Sequence, residues 1–228
     1  VKLIEQYPKV SLDVFLPEIR LMAPGCPDEI IASYVRQAVI ELADKALPFK
    51  REMQIEWQAT VRNYLLEPDD CTRVVAIDWI CDWRGNRHFP KPNRPCVMPC
   101  AQLCSPTCNY GAVNPFEGYH WATFRQPNEL ELSFVPDCDV APGFSVRMTV
   151  APTRDACDVD LLAYEKYAQD IHAGAAKWLL AMQGQPWYQP QMAVKYERDW
   201  MRVLGKVATD AILQESRGPF QAHAQRIV

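Results

Sequence analysis

The chain is 228 residues long, 49% hydrophobic and 23% charged, with 24 basic and 28 acidic residues and a formal net charge of -4. Such a chain can bury a core, which excludes disordered, collagen-like and rod-like coiled-coil classes. The acidic balance also argues against a general nucleic-acid binder, which must neutralise many phosphates. Charge is unevenly spread: residues 111–160 hold three basic against eight acidic side chains, and 161–228 hold eight against six. No uncharged apolar run approaches the roughly 18 to 20 residues that span a bilayer, and the opening VKLIEQYPKVSLDVFLPEIR has no signal-peptide pattern, so a soluble, non-secreted chain is expected.

In chain order, the first strong periodicity begins at Pro27, which suits the first position of a helix, followed by Asp28 and Glu29 at the positive end of its dipole. Ile30, Ile31, Tyr34, Val35, Ala38, Val39, Leu42, Ala46 and Leu47 then recur at three- and four-residue spacing, and Pro48 predicts an end near Leu47. From Gln54 the period becomes two. Ile55, Trp57, Ala59 and Val61 alternate with polar neighbours, Pro68-Asp69-Asp70 reads as a turn, and Val75, Ile77, Trp79, Cys81 and Trp83 alternate again. Strand patterns resume at 120–125, at Leu130, Leu132 and Phe134, and at Phe144, Val146, Met148 and Val150. Short strands with short turns favour an antiparallel sheet or small sandwich.

Helix returns at about Asp158, with a stripe through Tyr164, Tyr167, Ala168, Ile171, Ala175, Trp178, Leu179 and Met182 and with Gly184 placed to end it. A second stripe runs through Ala193, Tyr196, Trp200, Val203, Leu204, Val207, Ala211 and Ile212, so the two helices should form an antiparallel hairpin. Ala173-Gly174-Ala175-Ala176 puts small residues where a neighbouring element can approach closely. The expected fold class is α+β: a helical base made of one N-terminal helix and a C-terminal hairpin, with an inserted antiparallel β region projecting from it. The expected divisions are 1–53, an N-terminal arm and first helix; 54–151, the β insertion; and 152–228, the hairpin and tail.

Chemistry is sparse. Cys96, Cys100, Cys104 and Cys108 could in principle supply a thiolate zinc site, but all three intervals hold three residues rather than the usual two, and Pro99 and Pro106 interrupt any helix that would align them. A metal-free loop is therefore expected, with no cofactor. There is no phosphate loop, dinucleotide fingerprint, HExxH or nucleophile elbow. His88, His120, His172 and His223 fall on different elements and read as surface or packed residues. Asp155, Asp158 and Asp160 crowd a helix N-terminus, where negative charge is favoured. Trp57, Trp79 and Trp83 suit a small β core, whereas Trp187, Tyr188 and Trp200 are candidates for an interface between subunits.

The phrases Phe15-Leu16-Pro17-Glu18, Ala23-Pro24-Gly25-Cys26-Pro27, Gln126-Pro127-Asn128-Glu129-Leu130-Glu131-Leu132 and Pro186-Trp187-Tyr188-Gln189-Pro190, in that order around the helices and strands, resemble the head-to-tail adaptor, or connector, of short-tailed bacteriophages. The Cys96 to Cys108 stretch departs from that pattern. The resemblance implies no catalytic residues and no enzyme activity. It implies a virion structural protein at the head-tail junction, assembled in the host cytoplasm. It also implies a homo-oligomeric ring, commonly of about twelve copies, around an axial channel through which DNA passes without sequence-specific contacts. The helical part would pack the ring, the C-terminal segment would engage the portal protein, and the β part would face the next tail or nozzle component. Arg217, Phe220, Arg226, Ile227 and Val228 are the portal-docking residues on this reading. The alternatives are a Cys-rich metal-binding enzyme or regulatory module, and a monomeric ligand-binding module that uses exposed tryptophans.

Overall fold

A computed structural model of the chain describes residues 2–3, 8–81, 87–88, 122–125, 128–132 and 139–216. In chain order the elements are β1 (Lys2–Leu3), β2 (Lys9–Ser11), a 3-10 turn (Leu12–Phe15), α1 (Leu16–Met22), α2 (Asp28–Ala46), β3 (Lys50–Trp57), β4 (Asn63–Leu65) and β5 (Thr72–Cys81). They continue with β6 (Arg87–His88), β7 (Ala122–Arg125), β8 (Glu129–Leu132), β9 (Val140–Pro152), β10 (Asp158–Asp160), α3 (Leu161–Leu179) and α4 (Pro190–Ser216). This is the α+β class. The chain divides into a β unit, residues 1–7 and 50–151, and a helical unit, residues 8–49 and 152–228.

The β unit contains a five-stranded sheet in the order β1-β3-β9-β5-β6 and a three-stranded sheet in the order β4-β8-β7. Strand β3 runs antiparallel to β9, with Lys50 opposite Thr149 and Ile55 opposite Phe144, and the register shifts between Ile55 and Trp57. The alternation at Phe144, Val146, Met148 and Val150 behaves as the sequence predicts, since all four are buried. Strand β5 differs. Its buried apolar residues are Val74 and Ile80, while Val75, Ile77, Trp79 and Cys81 are half-buried. The inward face also carries Asp78, whose charge meets Lys50 Nζ at 2.9 Å, so a polar residue on the core side shifted the apparent apolar phase by one. Tyr64 and Phe144 join the core edge to face, with centroids 5.3 Å apart. Of the three β tryptophans, Trp79 is half-buried under the Arg87 guanidinium at 4.8 Å from its ring; the Trp57 side chain and Trp83 lie outside the described residues.

The helical unit is built on α2. Its expected span holds: Pro27 stands in extended geometry ahead of Asp28, and Leu47 closes the helix in the left-handed region at φ 54°. Ile31, Val35, Ala38, Val39, Leu42 and Ala43 face inward. Two parts of this unit differ from the sequence expectation. Residues 158–160 form β10, paired with β2 from the N-terminal arm, and α3 starts only at Leu161. Asp160 then caps α3, its carboxylate accepting the Leu162 N–H at 2.8 Å. At the other end α3 stops at Leu179, ahead of Gly184, which takes φ 78° in the connecting turn. The N-terminal arm also forms α1 and the 3-10 turn, where Phe15 and Ile19 are fully buried. The expected first division, 1–53, crosses this boundary: Lys2–Leu3 and Lys50–Met53 are strand residues of the β unit.

Candidate assembly site on the helical unit

Helix α4 is the largest element of its unit and meets both α2 and α3. Its 27 residues extend about 40 Å at the usual helical rise. Ala193, Trp200, Leu204 and Val207 form its buried stripe. Trp200 is the centre of that contact: it has no exposed surface and sits where Gly174 removes a side chain from α3. A Cβ on Gly174 would lie 2.8 Å from Trp200 Cζ3, 2.9 Å from Trp200 Cε3 and 3.0 Å from Ala38 Cβ on α2. A side chain at residue 174 would force one of the three helices or the Trp200 indole to shift. The small run at 173–176 therefore does what its composition suggests.

One carboxylate ties the three helices chemically. Glu41 on α2 accepts hydrogen bonds from Lys177 Nζ of α3 at 2.6 Å, from Trp200 Nε1 of α4 at 2.9 Å and from Lys45 Nζ at 2.5 Å. Burial works against its charge, but the three donors and the Lys177 cation outweigh that and hold the Glu41 carboxyl below its ordinary range. Lys177 also lies over the rings of Trp178 at 4.0 Å and Trp200 at 5.3 Å. Trp178 itself is half-buried and stacks on Tyr34, with centroids 6.0 Å apart. Trp200 takes the central position that the sequence stripe shares among several aromatics.

The exposed face of α4 is different in kind. Val194 is 48% exposed and Met201 58% exposed. Gly205, with open space around it, follows one turn beyond Met201. The exposed basic residues Lys195, Arg198, Arg202 and Lys206 border this strip on one flank, and exposed Glu197 lies between Val194 and Met201 on the other. Helical spacing places the apolar and basic residues on one side, opposite the Trp200 stripe.

The residues singled out in the sequence divide accordingly. Trp187 is 4% exposed in the α3–α4 connection, which is closed by the Gln189 N–H donating to the Leu180 carbonyl at 2.9 Å. Trp187 and Trp200 thus face this chain's own interior, and of the trio Tyr188 presents surface, at 39%. Cys96, Cys100, Cys104 and Cys108, and Arg217, Phe220, Arg226, Ile227 and Val228, lie outside the described residues. Cys26 and Cys157 are free thiols. Among the described residues no cluster of three or more His, Cys, Asp or Glu side chains is arranged to hold a metal ion, and no helix is long and apolar enough to cross a membrane.

His172 is buried on α3. Its Nδ1 lies 2.7 Å from Glu18 Oε2 of α1, outside hydrogen-bonding geometry, and its ring meets Phe15 edge on. Burial pushes the imidazole down from its ordinary value, against the opposing pull of Glu18. Glu41, Lys177 and His172 carry the polar chemistry of this unit, and sequence periodicity singles out none of them for that role. The available signal was a Glu and a Lys on the flanks of two apolar stripes, which is also what ordinary solvent faces look like.

No family model matches the chain, and no curated protein matches it. Among solved structures it is similar, at 14% identity and TM-score 0.25, to a chain in the neck of an empty GTA particle with C6 symmetry. The match covers 86% of this chain and 93% of that one. A TM-score of that size does not establish a shared fold.

Proposed function

We propose that the protein is a virion structural component forming a head-to-tail adaptor ring between the portal protein and the tail, around an axial DNA channel. The ring is built from copies of this chain, in the dodecameric number that the sequence resemblance implies. The downstream contact is with a tail or nozzle protein, and DNA passes without sequence-specific binding. The role is mechanical and includes no catalytic step.

The observation that supports this reading is the two-sidedness of α4. One face is spent on Trp200, Leu204 and Val207 inside the subunit, and the other presents Val194 and Met201 beside Glu197 and four basic residues. Large apolar side chains on an outer helix face, rimmed by charge, mark protein contact surfaces. A single carboxylate, Glu41, fixes that helix to two others, so the outer face is presented on a rigid element. Rigidity is useful in a part that transmits force between capsid and tail.

Mass photometry of the purified chain, alone and mixed with portal rings, followed by negative-stain imaging, tests the proposal. Ring particles on the portal are expected. A chain that stays monomeric at high concentration and leaves portal rings bare would refute it.

A further inference from the structure

In the β unit, β4 is, among the described residues, an edge strand of the β4-β8-β7 sheet. Its pairing with β8 runs Asn63 opposite Glu131, Tyr64 opposite Leu130 and Leu65 opposite Glu129. The Leu66 N–H donates to the Asn128 carbonyl at 2.8 Å, and the Leu132 N–H donates to the Arg62 carbonyl at 2.9 Å. In an antiparallel ladder the backbone groups alternate sides. Residues 62, 64 and 66 therefore turn theirs toward β8, and Asn63 and Leu65 turn theirs outward. Along that edge runs a groove of about 250 Å³ lined by Ile55, Glu56, Gln58, Asn63, Leu65 and Glu67, with Val61 and Tyr64 completing it. Leu65 is 58% exposed, and Glu56 and Glu67 are exposed. The lining holds two carboxylates and no cation.

An edge unpaired among the described residues, beside an acidic groove of mixed polar and apolar lining, fits an extended polypeptide that supplies its own N–H and C=O groups, small apolar side chains and positive charge. The sequence contains such a segment. Residues 217–228, RGPFQAHAQRIV, have two arginines and no acidic residue, and from Phe220 to Gln225 apolar and polar residues alternate with the period of a strand. Fully extended, these twelve residues reach about 40 Å from the end of α4.

We infer that the β4 edge and its groove bind residues 217–228 of a second copy of this chain, which add as a strand along Asn63 and Leu65. The apolar members of the alternation lie on Leu65 and Val61. Arg217 and Arg226 are drawn to the groove that Glu56 and Glu67 make acidic. The inference does not depend on the adaptor reading, and it gives the 217–228 segment a partner other than the portal that the sequence resemblance implies.

The test is a fluorescein-labelled peptide 217–228 titrated with the dilute full chain, read by anisotropy and by amide exchange. Saturable binding is expected, with slowed exchange at the Asn63 and Leu65 amides and several-fold weaker binding at about 0.5 M salt, where charge attraction is screened. Two further peptides keep every side chain but carry backbone N-methyl groups, one at Phe220, Ala222 and Ala224, the other at Gln221, His223 and Gln225. Alternate amides of a strand face opposite edges, so one peptide should lose about tenfold or more in affinity and the other should bind nearly as before. In the protein, Leu65→Pro removes a donor that faces the groove and leaves the Tyr64 pairing with β8, and it should weaken binding about tenfold. If that variant does not fold, the methylated pair still decides. Absence of saturable binding, equal losses for both methylated peptides, or capture of the peptide by portal rings with unchanged exchange at Asn63 and Leu65 would each overturn the inference.

Discussion

Replacing Gly174 by alanine sets two effects of opposite sign against each other. In a helix interior alanine is favoured over glycine by about 1 kcal/mol, so Gly174→Ala at an open site would stabilise α3. This site is closed. The new methyl would sit 2.8 and 2.9 Å from two atoms of Trp200 and 3.0 Å from Ala38 Cβ, against roughly 3.5–4.0 Å for carbon contacts at their optimum. Relief needs the indole to retreat by more than half an ångström, yet Trp200 is completely buried and its Nε1 is held by Glu41. Moving α3 away from α4 does not help, because Ala38 on α2 obstructs from another direction. Overpacking of this kind costs about 1–3 kcal/mol and its upper range should apply, leaving a net loss of about 1–2 kcal/mol after the propensity gain. For a chain of this size that lowers the melting temperature of the helical unit by about 2–4 °C per kcal/mol. Thermal unfolding followed at 222 nm measures it. A second substitution, Trp200→Phe, removes Cζ3, the nearer of the two indole atoms that the methyl meets, so the double variant should lose less than the sum of the two singles. A melting temperature that is unchanged or higher in Gly174→Ala would show that the three helices do not meet as described.

Glu41→Gln should destabilise the helical unit by about 2–3 kcal/mol, since Lys177 loses its counterion in a largely buried position; chemical denaturation reads this directly. The same carboxyl gives a pH signature. Its folded-state pKa is depressed, so its contribution is present above the unfolded value of about 4.3 and disappears as pH falls through the folded one. The profile of Glu41→Gln should accordingly be flatter than that of the parent below about pH 4.5. His172 acts in a different window with the opposite chemistry: burial lowers its folded pKa, the unfolded chain takes the proton first, and stability falls as pH drops below about 6.5. His172→Gln should remove that slope, and a slope left intact would place the proton uptake elsewhere. On the outer face of α4, Met201→Asp should change stability by no more than about 0.5 kcal/mol and abolish ring assembly; a variant that still assembles would move the subunit interface away from this face.

Much of the secondary structure was legible because it is local. Helix α2 needs only its own stripe, an acidic first turn and Pro48 just past its end, and β8 and β9 need only alternation over a few residues. The close approach at Gly174 was legible too, since a run of small residues in a helix has few other uses. The tertiary structure decided what depends on partners distant in sequence. Residues 158–160 read as the start of a helix because Asp155, Asp158 and Asp160 suit a helix N-terminus, and they become a strand because Lys9–Ser11 supplies its ladder. The phase of β5 was hidden because Asp78 points inward to Lys50, and a period-two reading assigns charge to the outside.

The same division applies to function. The sequence by itself determined the α+β class, the helical hairpin and the absence of familiar catalytic motifs, because each is carried by spacing within one segment. It could not separate Trp200, whose indole closes a three-helix contact, from Tyr188, which remains at the surface, since both are aromatics beside an apolar stripe. It could not show that Glu41, Lys177 and Trp200 converge, because they come from three helices and share no spacing rule. Nor could it identify the edge of β4 that is unpaired among the described residues, whose two outward residues are known only once β8 has taken the opposite side. Burial and hydrogen-bond pairing are properties of the assembled chain, and a side chain's chemistry is set by what the rest of the fold places within about 3 Å of it.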